Sequence, residues 1–233
     1  MNLDKTHFTV FTNKKIPNDI KIKIDDQNLS YKSSTTFLGV VIDEKLTFSE
    51  HILNIKGKLS KSVGIFYKLS FLPCEVLKTL YYCLIYPYLL YCILIWGSAS
   101  RSTLNLLYMK QKKVVRIVNH SEYTDSSSPI FKCLNLLKLE DIFNLYCLDF
   151  IFSTLNNGKC EYFINKIISY QVNHGYNTRN DNFRLPSVAI DRFRQDIVYK
   201  GLKLWNDLPN CMRDIKSKHI LKRSLKQKFI DSY

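Results

Sequence analysis

Glycine is scarce in this 233-residue chain, with seven in all, so no glycine-rich loop is available to cradle a phosphate. The seven cysteines are widely spread and none stands in a Cys-x-x-Cys pair. An odd number without a framework argues against a disulfide scaffold and for a reducing compartment. The five histidines lie far apart, with no Cys or His at zinc-finger spacing, so no metal site is expected. No Gly-x-Ser-x-Gly elbow is present for a serine hydrolase. The start, Met1 to Phe11, lacks a basic stretch followed by an apolar core, so no signal peptide is expected. These absences point to an intracellular protein, in the nucleus or cytoplasm.

Acidic residues are also in short supply. Asp and Glu number 20 against 34 Lys and Arg, a net charge of +14. Such an excess favours a polyanionic partner, most often nucleic acid and less often an anionic membrane. A basic but merely soluble protein is the bland alternative. With 46% hydrophobic residues the chain can bury a real core. Its apolar centre is 79–97, where no charge falls between Lys78 and Arg101. That length reaches the roughly 18 residues of a membrane-spanning helix. Against a span stand Tyr81, Tyr82, Tyr86, Tyr88 and Tyr91 and the central Pro87, since each phenolic hydroxyl needs a partner. A helix buried in a soluble domain is the preferred reading.

Periodicity places strands first and helices after. Ile20, Ile22 and Ile24 alternate with Lys21 and Lys23 as in a half-buried strand, Asp25-Asp26-Gln27-Asn28 makes a polar turn, and Leu29–Lys32 can return as its partner. Phe37–Ile42 reads as a buried strand with a close backbone approach at Gly39. Ser49 is a candidate N-cap for a helix over His51–Ser70, with Ile52, Ile55, Leu59, Val63 and Phe66 on one face and Lys56, Lys58, Lys61 and Lys68 on the other. Pro73 opens the next helix, which runs into the apolar centre and ends near Gly97. Further helices are predicted over Ser102–Val118, Ile130–Leu137, Glu140–Leu155 and Val198–Trp205, with a last basic one capped by Ser217. The expected organisation is 1–46, 47–125 and 126–233.

Three segments carry a family resemblance: Asn2 to Phe11, Phe37-Leu38-Gly39-Val40-Val41-Ile42-Asp43, and Tyr86-Pro87-Tyr88-Leu89-Leu90-Tyr91-Cys92 with Trp96-Gly97. In that order they resemble the end of the palm and the thumb of reverse transcriptases from jockey-like non-LTR retrotransposons. Tyr176-Asn177-Thr178-Arg179, Arg184-Leu185-Pro186 and Gly201 through Leu204-Trp205-Asn206-Asp207-Leu208-Pro209 are similar to the region after the polymerase. The resemblance implies an α+β, mostly α fold. A short N-terminal β hairpin and strands, a palm remnant, would precede a helical thumb and a helical C-terminal region.

The resemblance also assigns roles. Lys5 falls at motif D, whose lysine approaches the incoming triphosphate; protonating the pyrophosphate leaving group would contribute about 10²–10⁴-fold. Taken alone, Lys5 is only a solvated charge before a strand. Phe37, Leu38 and Gly39 fall at motif E, the primer grip. Lys56, Lys58, Lys61 and Lys68 would lie near template–primer phosphates, contacts that give affinity without sequence readout; a solvated face is the plain alternative. The family's two Mg²⁺ are held by aspartates upstream of motif D. Those positions are not in this sequence, and Asp25-Asp26 reads as turn chemistry. Mg²⁺ is therefore expected only in the full-length family enzyme, and this polypeptide is not expected to polymerise alone. It resembles a truncated reading frame or a piece of a degraded element. The expected partners are an RNA/DNA template–primer and the missing polymerase portion, without a membrane. The rival readings are a nucleic-acid-binding module without catalysis, a basic membrane-associated protein anchored by 79–97, and an unstable relic with an exposed strand edge.

Overall fold

The computed structural model describes residues 6–12, 20–24, 27–158, 161–170, 182–185, 187 and 194–233. Lys5, Asp25-Asp26, Tyr176 to Arg179 and Pro186 lie outside them. The described residues are mostly α, with short strands in the first part of the chain.

Among the described residues six strands form three two-stranded ribbons. β1 (His7–Phe8) pairs in parallel with β4 (Ser30–Tyr31), and β2 (Lys23–Ile24) pairs antiparallel with β3 (Gln27–Asn28). Ile20 and Ile22 stay exposed, so the alternating isoleucines mark a bare ribbon rather than a half-buried strand. β5 (Ser34–Phe37) and β6 (Val40–Asp43) form an antiparallel hairpin in which Phe37 faces Val40. The apolar run Phe37–Ile42 is thus a hairpin end and not one buried strand. Leu38 and Gly39 both adopt left-handed backbone angles, φ 45° and 77°, the pattern of a type I′ two-residue turn. Phe37 and Leu38 are 65% and 73% exposed; Val40 alone of the run is buried.

α1 (Ser49–Lys68) begins without help from Ser49. Its N-cap is Phe48, in a left-handed conformation and with no capping side chain. The Thr47 hydroxyl accepts the Ser49 N–H at 3.4 Å, and Asp43, at the end of β6, holds the turn before the helix. Its carboxylate accepts the backbone N–H groups of Lys45 (3.1 Å), Thr47 (2.9 Å) and Phe48 (2.7 Å) and the Thr47 hydroxyl (3.1 Å). Burial works against the Asp43 charge, but these bonds outweigh it and hold the carboxyl below its ordinary pKa. One carboxylate therefore joins the hairpin to the helix.

The apolar centre folds as three pieces instead of one helix: α2 (Cys74–Leu84), α3 (Tyr86–Leu90) and α4 (Ile93–Trp96). Pro87 opens α3, where its missing N–H costs nothing, and Cys92 takes a left-handed turn at φ 53°. α2 is about 16 Å long, against about 30 Å of hydrocarbon. Among the described residues no helix is long and apolar enough to cross a membrane.

α5 (Arg101–Val118), capped by Ser100 through the Thr103 N–H, lies along α1. After α6 (Ser127–Cys133), α7 (Leu139–Asn157) is apolar all round and ends on Gly158 at φ 53°. α8 (Glu161–Ile168), α9 (Ile197–Asn206), α10 (Asn210–Arg213) and α11 (Lys218–Asp231) complete the order. A single cluster of buried side chains runs from Val40 and α1 through Trp96 and α5 to α7, α9 and α11, across the exposed turn near 126.

At its centre Gln111 is fully buried and fully used. Its Nε2 donates to the Tyr81 hydroxyl (2.8 Å) and the Leu137 carbonyl (2.9 Å), and its Oε1 accepts the Leu139 N–H (3.0 Å). Tyr81 thereby satisfies its hydroxyl inside the core. Gly97 and Gly201 permit two close approaches. A Cβ on Gly97 would stand 2.4 Å from the Phe143 ring, and one on Gly201 2.6 Å from Ile151.

Candidate nucleic-acid interface

The exposed hairpin tip is anchored in sequence by a tyrosine from far away. The Tyr91 hydroxyl donates to the Leu38 carbonyl at 2.6 Å. The Tyr91 carbonyl in turn accepts the indole N–H of Trp96, fully buried, at 2.7 Å. A rigid chain of contacts thus runs from the core to the tip. It offsets the roughly 1 kcal/mol that a non-glycine residue such as Leu38 gives up in a left-handed turn.

A second anchor comes from α1. His51 is buried in its first turn, and its Nδ1 accepts the Val41 N–H at 3.3 Å. Its ring lies 6.2 Å from that of Trp96. Burial, then the nearby Lys58 charge, push its pKa below the ordinary value, which keeps the imidazole neutral as this acceptor role requires. Trp96 thus backs both anchors.

The lysines of α1 do not form one set. At about 100° per residue, Lys58, Lys61 and Lys68 fall within an arc of about 80°. All three are exposed. Lys56 lies at least about 120° away from each, on the other flank, and is half-buried. The Lys58 ammonium sits 5.7 Å from the centroid of the Tyr88 ring, on the same short helix that leads to Tyr91. Among the described residues no carboxylate pairs with Lys58, Lys61 or Lys68. The structure therefore brings Phe37, Leu38 and Gly39 together with Tyr91, and gathers Lys58, Lys61 and Lys68 without Lys56. Lys5 lies outside the described residues.

Tyr91, His51 and Asp43 escaped the sequence reading as positioning residues. Tyr91 was visible only as one of several tyrosines in an apolar run. The motif from Gly201 to Pro209, by contrast, is a packing device. The Asn206 side chain bonds both backbone groups of Phe183 (2.9 and 2.8 Å), and Arg213 donates to the Leu208 and Asn206 carbonyls. Trp205 and Leu208 are buried beside them.

Among the described residues no three His, Cys, Asp or Glu side chains come together as a metal-binding group.

What remains is an apolar tip held by Tyr91 and His51, and an unpaired basic face on the helix that carries His51. The chain is similar to the RNA-directed DNA polymerases of jockey-like non-LTR retrotransposons. It is 27% identical over 148 residues to the probable RNA-directed DNA polymerase from transposon X-element of Drosophila melanogaster, covering 62% of this chain and 16% of that protein. To the RNA-directed DNA polymerase from mobile element jockey of the same fly it is 28% identical over 127 residues, 52% of this chain and 14% of the relative. The jockey polymerase of Drosophila funebris is 26% identical over 145 residues, 60% of this chain and 16% of the relative. The chain spans about one-sixth of the length of these curated relatives. No family model and no solved structure matches it.

Proposed function

We propose that this chain is the part of a reverse transcriptase that holds an RNA/DNA template–primer. The β5–β6 tip, Phe37, Leu38 and Gly39, grips the primer end, and Lys58, Lys61 and Lys68 meet backbone phosphates, with Lys56 at the margin. The observation that carries the reading is the Tyr91–Leu38 bond, which together with the His51–Val41 bond fixes an exposed apolar tip. Lys5 would act on the triphosphate side, as a general acid, only when the polymerase portion bearing the carboxylates and Mg²⁺ is supplied. The 233-residue polypeptide by itself binds without polymerising, and works in the nucleus or cytoplasm.

The test is binding of the purified chain to a labelled RNA–DNA hybrid across a salt series, with primer extension measured beside it. Binding that weakens steeply with salt, without extension, supports the reading. Mg²⁺-dependent extension contradicts the loss of catalysis, and no binding at low salt contradicts the grip.

A further inference from the structure

The end of α5 carries a second arrangement, away from the hairpin. Lys110, Lys113 and Arg116 recur at three-residue spacing and so share a stripe of the helix. In the turn that follows, Tyr123 is 65% exposed. The Lys113 ammonium lies 6.0 Å and the Arg116 guanidinium carbon 5.6 Å from its ring centroid. Both cations lie over the ring, and at 65% exposure the residue still opens ring surface to solvent.

The turn is built, not loose. Arg116 donates through Nε (3.0 Å) and Nη2 (2.9 Å) to the Asp125 carbonyl. The Asp125 carboxylate accepts the Glu122 N–H at 2.9 Å, and the Ser121 N–H returns to the Arg116 carbonyl at 3.0 Å. Glu122 and Asp125 are the acids of the turn, and Asp125 is committed to it. Arg116 keeps its Nη1 donors, and Lys113 has no carboxylate partner among the described residues.

Resting on the reading of this chain as a holder of nucleic acid, we propose that Tyr123, Lys113 and Arg116 bind single-stranded nucleic acid: an unpaired base stacks on the Tyr123 ring while the two cations take the flanking phosphates. In a duplex the base faces are already stacked on one another, so a lone exposed ring discriminates for single strands. An aromatic platform with adjoining cations is sequence-tolerant, which suits a strand entering or leaving a hybrid.

The test uses the full chain, a labelled single-stranded RNA oligonucleotide and, separately, the RNA–DNA hybrid, with anisotropy read across salt. Tyr123→Ala should weaken single-strand binding by about 5- to 100-fold with the salt slope unchanged, Tyr123→Phe should restore it, and hybrid binding should stay within about twofold. Lys113→Ala should instead lower the single-strand salt slope by about 0.7. Wild-type chain that binds the hybrid but not the single strand overturns this proposal alone. So does Tyr123→Ala that binds single strands normally or loses both ligands equally. Wild-type chain that binds neither ligand overturns this proposal and the grip together. Tyr123 is exposed, so unchanged thermal unfolding separates lost binding from lost fold.

Discussion

α1 and α11 are the two helices with the most lysine along them, and in sequence they look like the same object. Each has an apolar face and a run of basic residues on the remainder. Folding gives those charges different employment. On α11, Lys218 and Lys222 both reach Asp149 of α7, at 3.2 and 3.1 Å, and Lys222 also lies over the Tyr146 ring at 4.6 Å. Asp149 is only 12% exposed, so these lysines are fasteners between helices. On α1, Lys58, Lys61 and Lys68 have no such partner among the described residues, and the Lys58 ammonium lies 5.7 Å from the Tyr88 ring centroid. A charge run in sequence therefore does not separate a structural cation from a binding one. The location of the carboxylates does.

The sharpest way to break this comparison is to remove the fasteners. The double variant Lys218→Ala/Lys222→Ala leaves Asp149 nearly buried and uncompensated, which should cost about 3 kcal/mol in urea unfolding. Its affinity for an RNA–DNA hybrid, normalised to folded protein, should stay within about twofold. The converse set, Lys58→Ala/Lys61→Ala/Lys68→Ala, should weaken hybrid binding by about 10- to 100-fold near 0.1 M salt and leave stability within about 0.5 kcal/mol. If the α11 pair affects binding more than the α1 set does, the assignment is reversed.

Two smaller effects concern how α1 and α3 hold the tip. His51 has its pKa depressed in the folded state by burial and Lys58. The unfolded chain therefore binds the proton first. The stability His51 contributes is fully present above its unfolded value of about 6.5 and is lost as pH falls through the lower folded value. The amide protection factor of Val41, its exchange relative to the intrinsic rate at each pH, should fall over that window, since a protonated Nδ1 no longer accepts its N–H; a protection factor flat with pH would remove the anchor. Tyr91→Phe deletes the bond to the Leu38 carbonyl and the hydroxyl's contact with the Cys92 thiol. We expect a loss of about 1 kcal/mol and a two- to fivefold weaker hybrid complex, read by the same anisotropy assay.

Much of this architecture was legible in the chain. The period of Ile52, Ile55, Leu59, Val63 and Phe66 located α1, and the motif around Gly39 located the hairpin. Local pattern could not reveal contacts made across long separations. Tyr91 and Leu38 stand far apart in sequence, so the run Phe37–Ile42 read as buried when its tip is exposed. Ser49 looked like a cap because it is local, whereas the turn before α1 is held by Asp43, folded back from the strand before. Gln111 carried no signal beyond a polar residue in a helix, yet it joins α5, α2 and the start of α7. The single helix expected near 79–97 is three pieces: Pro87 lacks the N–H that would continue α2, and a left-handed turn at Cys92 divides α3 from α4.

The central claim is that the free charges of α1 meet phosphates. Its most direct test is the slope of log affinity against log salt for the RNA–DNA hybrid, compared between the wild-type chain and Lys58→Ala/Lys61→Ala/Lys68→Ala. The account predicts a slope shallower by about 2 to 3 in the triple variant, close to one counterion per lysine. Parallel lines would contradict it, because lysines that touch no phosphate release no counterions.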